Sequence, residues 1–139
     1  ELGITGNVTD DWKMFGGYAF QDGKITKSIS SSALAGATMA QVPEHTFTLW
    51  NRYDITQQWG VGLGSIYRSK MVAATDNLVI LPSFLRFDAA VYFNPTKNVE
   101  LQVNVDNLFD KKYYASANGN TNITPASPVA LNAGINVKF

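Results

Sequence analysis

The chain has no cysteine, which excludes a disulfide scaffold and any thiolate metal site. That absence is compatible with passage through an oxidising periplasm. The single histidine, His45, leaves little from which to build a histidine metal centre or a histidine-based catalytic cluster. Basic and acidic residues balance at 11 each, so there is no electrostatic footprint for nucleic acid. No run of about 18 apolar residues occurs, which excludes a transmembrane helix. Membrane residence through strands stays open, because a barrel strand carries only about 10 alternating residues. No signal peptide is present, and the chain opens on Glu1-Leu2-Gly3-Ile4-Thr5-Gly6, already in strand register. This predicts the interior of a longer protein.

What is present is alternation. Aromatic residues make up 12% of the chain and there are 11 glycines among 139 residues, a composition that suits one all-β domain. Seven β segments follow from period-2 patterning and turn residues: 1–7, 12–26, 43–54, 58–70, 82–94, 98–109 and 129–139. In the second, Trp12, Met14, Gly16, Tyr18 and Phe20 share one face, opposite Lys13, Phe15, Gly17, Ala19 and Gln21. In the sixth, Val99, Leu101, Val103 and Val105 oppose Glu100, Gln102, Asn104 and Asp106. Four successive polar residues on one face cannot line a dry core unpaired. They suit a polar lumen, and equally the wet side of a soluble antiparallel sheet.

The last segment, Leu131 to Phe139, alternates apolar and polar and stops on an aromatic residue. A soluble chain-terminal strand exposes an edge and usually trails off in polar residues. A strand that closes a membrane barrel does not.

The connections favour the barrel. Turns at 9–11, 55–57 and 95–97 are short, and between them come long segments at 27–42, 71–81 and 110–128. Outer-membrane barrels have short periplasmic turns and long extracellular loops, which makes the C-terminus periplasmic. Trp12, Tyr53, Trp59, Phe93 and Phe139 all lie near a short turn or the terminus, on the apolar faces of their strands. They predict one membrane-interface girdle, with Phe20, Tyr67, Phe109 and Tyr113 marking the other. The expected fold is therefore all-β: an antiparallel up-and-down meander of about seven transmembrane strands. An open sheet would leave unsatisfied edges in lipid, so the meander belongs to a larger barrel.

Three stretches resemble the C-terminal end of TonB-dependent outer-membrane receptors. They are Val42 to Trp50, Leu81 to Ala89, and Val105 to Tyr114, the last close to that family's Asn-Leu-Phe-Asp-x-x-Tyr-Tyr signature. Ala73 to Asn77, Tyr113 to Ser116 and Asn122 to Pro125 look like the ferric-siderophore receptors of catecholate type. One departure is visible: Pro128 is followed by Val129, where the family often has arginine. The resemblance implies a barrel of about 22 strands around an N-terminal plug. It also implies TonB coupling through an N-terminal box, with plug, box and signal peptide lying outside residues 1–139. It further implies a Gram-negative outer membrane as location, a ferric siderophore as transported ligand, no cofactor, and recognition of the C-terminal strand by the outer-membrane assembly machinery. A passive porin-like or adhesin-like barrel and a soluble β-sandwich binding module are the alternative readings.

No enzyme is expected. There is no nucleophile elbow and no glycine-rich phosphate loop before a helix, and His45 reads as an interfacial residue at the outer end of a strand. Gly60, Gly62 and Gly64 share one face, where they admit side chains or a plug close to the wall. Asp106-Asn107 and Asp110 could suggest calcium, which needs six or more oxygens. They also fit a strand end stabilised by Asx turns, and no metal site is expected. Arg86, Asp88, Glu100, Gln102, Asn104 and Asp106 are expected to face lumen and plug, with Arg86 and Asp88 pairing structurally. Ligand contacts are expected from the loops and rim. Tyr113, Tyr114, Asn118 and Asn120 would stack on or hydrogen-bond a catecholate, while Arg68 and Lys70 would attract an anionic ferric complex. Segment 28–41, uncharged and rich in serine and alanine, reads as mobile.

Overall fold

The computed structural model describes every residue except Ser32, which falls in the uncharged segment 28–41. The strands are β1 (Leu2–Asn7), β2 (Trp12–Phe20), β3 (His45–Asp54), β4 (Trp59–Arg68), β5 (Met71–Val72), β6 (Ile80–Leu81), β7 (Phe84–Thr96), β8 (Val99–Asp106), β9 (Tyr114–Ala117), β10 (Ile123–Pro125) and β11 (Ala130–Val137). Seven of them form one antiparallel sheet in the order β1-β2-β3-β4-β7-β8-β11, a meander in which every strand pairs with its sequential neighbour. The four short strands make two separate hairpins, β5–β6 and β9–β10, inside the long connections.

The register puts the predicted faces together. Tyr53 stands opposite Trp12 and Val61, Val61 opposite Val91, and Val91 opposite Val103, so apolar residues run in rows across the sheet. No second large sheet packs on this row among the described residues. Leu63 is 51% exposed, Val103 46% and Leu131 73%. An apolar face this wide and uncovered is not that of a soluble β-sandwich, whose inner faces close on one another.

The other face is closed by its own side chains. Gly60, Gly62 and Gly64 of β4 alternate with the apolar row and are buried, as are Ala90 and Tyr92 of β7. Among the described residues a compact apolar cluster lies beyond the sheet, where Met71, Ala73, Leu81 and Ala117 join the two hairpins.

Several boundaries differ from the sequence reading. β2 stops at Phe20 instead of continuing to 26, because Gly23 and Lys24 turn to face Met39 and Thr38 within their own connection. β7 runs on to Thr96 through Pro95, and its pairing with β8 slips between Phe93 and Thr96. Proline has no N–H to give the ladder, so a strand accommodates it at such an irregularity. The stretch 28–41 is held in its second half. Gly36 N donates to Ile25 O at 2.7 Å, Met39 N to Gly23 O at 2.9 Å, and Gln41 N to Val72 O at 2.9 Å.

Candidate functional site

The chemistry of the polar face centres on Arg52. It lies on β3 opposite Gly62, and the missing side chain there opens a trough. Its Nε donates to Asp54 Oδ1 at 2.9 Å, and its Nη1 reaches Glu100 Oε2 of β8 at 2.9 Å. The guanidinium lies 4.0 Å above the ring centre of Tyr92. Lys13 completes the group with Nζ 3.0 Å from Asp54 Oδ2. Two cations and two anions on β2, β3 and β8 therefore cancel. Trp50 fills the next part of the trough. A Cβ at Gly62 would stand 2.6 Å from Trp50 Cζ2, closer than real Cβ contacts come. The glycines admit these large side chains because they offer none of their own.

The polar stripe of β8 finds partners throughout. Gln102 Nε2 donates to Asn104 Oδ1 at 2.6 Å, and Asp106 Oδ2 accepts from Asn132 Nδ2 at 2.7 Å. Glu100 meets Arg52, and Asn136 Nδ2 donates to it at 3.4 Å. Arg86 and Asp88 pair at 2.8 Å. Sequence reasoning placed all six residues on one face, and the register does the same.

At the long-loop end of that face the last connection bends back over β7 and β4. The Arg68 guanidinium donates to Ala115 O at 2.7 Å and Tyr114 O at 2.6 Å, and lies 4.9 Å from the Phe84 ring centre. Tyr113 stacks on Phe84 with centroids 4.0 Å apart, and its hydroxyl accepts from Arg86 Nη1 at 2.7 Å. Tyr113 therefore points inward, on the side of Arg86. The sequence had placed it in the outer aromatic band, but its strand ends at Asp106 and the turn that follows resets side-chain direction.

That turn is the Asn107–Asp110 signature. Asn107 is 2% exposed, with φ at 55°, and Asp110 has φ at 47°. Asparagine and aspartate tolerate this left-handed conformation better than other residues with side chains. Asn107 N donates to Asp88 Oδ1 at 2.7 Å. Its side chain takes the Lys111 N–H at 2.8 Å and gives hydrogen bonds to Lys111 O and Ser127 O. Asp110 Oδ1 accepts from Val129 N, one residue before β11. These carboxylate and amide oxygens face protein donors, as in Asx turns.

The remaining predicted loop residues separate. Asn120 Nδ2 donates to Asp76 Oδ2 at 2.7 Å, tying two connections together. Asn77 ties a third: its Oδ1 accepts from Thr38 N and its Nδ2 donates to Thr38 O, both at 2.9 Å. Asn118 is exposed at the β9–β10 turn, and Tyr114 is 44% exposed. Lys70 is exposed in a different place, in a crevice with Tyr67 and Ile80.

At the short-turn end Trp12 faces Tyr53 across the β2–β3 ladder, and Trp59 stacks on Phe93 at 4.4 Å. Phe139 follows the end of β11 and is fully exposed. Sequence reasoning missed Lys13, Trp50, Arg52, Asp54, Tyr92, Asn77 and Asn107 as site residues. Only Asn107 carried a signal, since it opens the signature.

Residues 1–108 match the TonB dependent receptor-like β-barrel family. The siderophore receptor PiuA of Acinetobacter baumannii is 34% identical over 148 residues, covering the whole chain and 20% of PiuA. Its crystal structure superimposes with a TM-score of 0.86 over 99% of this chain and 21% of that one. The catecholate siderophore receptor Fiu of Escherichia coli K12 is 34% identical over 122 residues, 85% of this chain and 16% of Fiu. The copper transporter OprC shares the fold, with a TM-score of 0.77 at 19% identity. The chain thus spans about a fifth of the length of such relatives. The uncovered apolar face, with the polar face opposite, is that of a stretch of outer-membrane barrel wall, and the chain belongs to the TonB-dependent receptor β-barrel family.

Proposed function

We propose that these residues form the C-terminal wall and three extracellular loops of a receptor that imports a ferric siderophore of catecholate class. The observation that carries this reading is that 100% and 85% of the chain align, at 34% identity, with two siderophore receptors, one of them named for catecholates. The polar face supports it, because a transport lumen wall must hold charge without leaving it unpaired. Import needs binding followed by rearrangement of a plug inside the barrel, driven through TonB, with no bond made or broken in the ligand. The chain's part is to give the plug a smooth, net-neutral wall and to hold the rim in shape.

Within the rim, Tyr114 and Asn118 keep rings and amides exposed for a catecholate. Arg68, Tyr113 and Asn120 serve instead to hold the loops in place. The C-terminal strand supplies the recognition element for barrel assembly.

The test is uptake of radiolabelled iron as a catecholate complex by iron-starved cells carrying or lacking the receptor that contains this segment. Uptake that requires both the receptor and TonB supports the reading. Uptake unchanged by loss of TonB identifies a passive barrel.

A further inference from the structure

We infer that Gln41 is a positioning residue for the ligand-facing rim: it ties the β9–β10 hairpin to the other two long connections, so that all three form one body. This rests on the reading of Tyr114 and Asn118 as residues exposed toward a catecholate. The hairpin that carries them has strands of four and three residues, too little to hold its shape alone in water. β9 pairs with β10, and the backbone groups that β10 does not take are held by two side chains from elsewhere in the chain. Arg68 donates to Tyr114 O and Ala115 O, at 2.6 Å and 2.7 Å. Gln41 Oε1 accepts from Ala117 N at 3.1 Å.

Gln41 itself belongs to the first long connection, and its N–H donates to Val72 O of the second at 2.9 Å. One residue therefore reaches all three connections, the second through its backbone and the third through its side chain. Its φ is 58°. Glutamine is uncommon in this left-handed region, and such a residue persists where its surroundings over-determine it. Asn77 has φ at 59° and makes the other junction between the first two connections, with Oδ1 accepting from Thr38 N and Nδ2 donating to Thr38 O. The non-glycine residues of positive φ in these two connections are thus the ones that tie them together. The second and third connections also share apolar contact, since Met71, Ala73 and Leu81 pack with Ala117 and Ile123. No residue of the first belongs to that cluster. Hydrogen bonds through Gln41 and Asn77 are what join it to the rest.

Gln41→Asn separates positioning from local fold. Asparagine suits the left-handed backbone better than glutamine and keeps the N–H for Val72 O, but its shorter side chain cannot reach Ala117 N. Hydrogen exchange is read by mass spectrometry on the detergent-extracted receptor carrying this segment. Residues 114–118 should exchange about five-fold faster in Gln41→Asn, with residues 36–42 unchanged. Binding of a ferric complex of dihydroxybenzoate should weaken by a similar factor, because the rim residues lose their preset position. Gln41→Glu keeps an acceptor oxygen at full length and should restore protection at 114–118. Leu78→Gln, at an exposed position of the second connection, should change neither readout. Unchanged exchange at 114–118 in Gln41→Asn overturns the inference. So does weakened binding with 114–118 still protected, because the glutamine would then touch the ligand itself. Unchanged binding with 114–118 loosened overturns it too, since the hairpin would not serve the ligand. Absence of binding by the unmutated receptor would overturn the catecholate reading, and the exchange pattern would then decide by itself whether Gln41 holds the hairpin.

Discussion

Arg52 and Glu100 meet across two intervening strands, with Nη1 2.9 Å from Oε2. They can do so because β4 presents glycine where the guanidinium crosses, and β7 presents the flat ring of Tyr92 beneath it. The pair links β3 to β8 on the polar face. Separate truncation and the double truncation should therefore be non-additive. We expect a coupling energy of about 1 kcal/mol for Arg52→Ala with Glu100→Ala, read from urea midpoints of the refolded barrel. Additive effects would mean that Asp54 alone holds the arginine.

Gly62→Ala should destabilise the barrel by roughly 1–3 kcal/mol, since the new methyl must displace the Trp50 ring. Gly17→Ala is the matched control, because its Cβ meets nothing closer than 3.5 Å. Heat-modifiability on gels separates folded from unfolded barrel for both variants. Equal stability of the two would show that Trp50 moves aside without cost.

Val103→Arg should cost about 2–4 kcal/mol and lower the folded yield, because the charge enters lipid near mid-strand. Gln102→Arg, on the polar face beside Asn104, should assemble close to normally. Comparable yields for both would reverse the assignment of the two faces.

Asn107→Ala should lose on the order of 2–4 kcal/mol. It leaves the carbonyls of Lys111 and Ser127 without their donor and forces alanine into a left-handed backbone. Asn107→Gly relieves the backbone but does not restore the side-chain hydrogen bonds, so it should recover only part. Chemical denaturation of the three proteins orders them. Full recovery by glycine would reduce the residue's role to backbone conformation.

Arg68→Ala should loosen the last long connection by roughly 2 kcal/mol, seen as faster hydrogen exchange at residues 113–117 with the sheet unaffected. Arg68→Lys should not restore protection. An ammonium cannot reach the carbonyls of Tyr114 and Ala115 together while lying over Phe84. Restored protection in the lysine variant would make charge alone the cause.

The sequence by itself determined the seven long strands of the main sheet, their faces and their order, but not the short hairpins β5–β6 and β9–β10. Val99 to Asp106 alternates without interruption, and a one-residue slip would carry every valine to the wrong side, so its register is written in its residues. The short turns force β1–β2, β3–β4 and β7–β8 to pair, whereas β2–β3, β4–β7 and β8–β11 pair across long connections. Only the tertiary structure decided what lies beyond nearest neighbours. The stagger of the strands brings Arg52 to Glu100, 48 positions later in the chain, and no local pattern encodes that distance. Asn77 and Thr38, Asn120 and Asp76, and Arg68 and Tyr114 meet across separate connections. Loops carry no periodicity, so their directions follow from packing. Tyr113 shows the consequence. Two left-handed residues, Asn107 and Asp110, turn the chain before it, and its ring goes inward to Phe84 where alternation alone would have sent it outward to lipid.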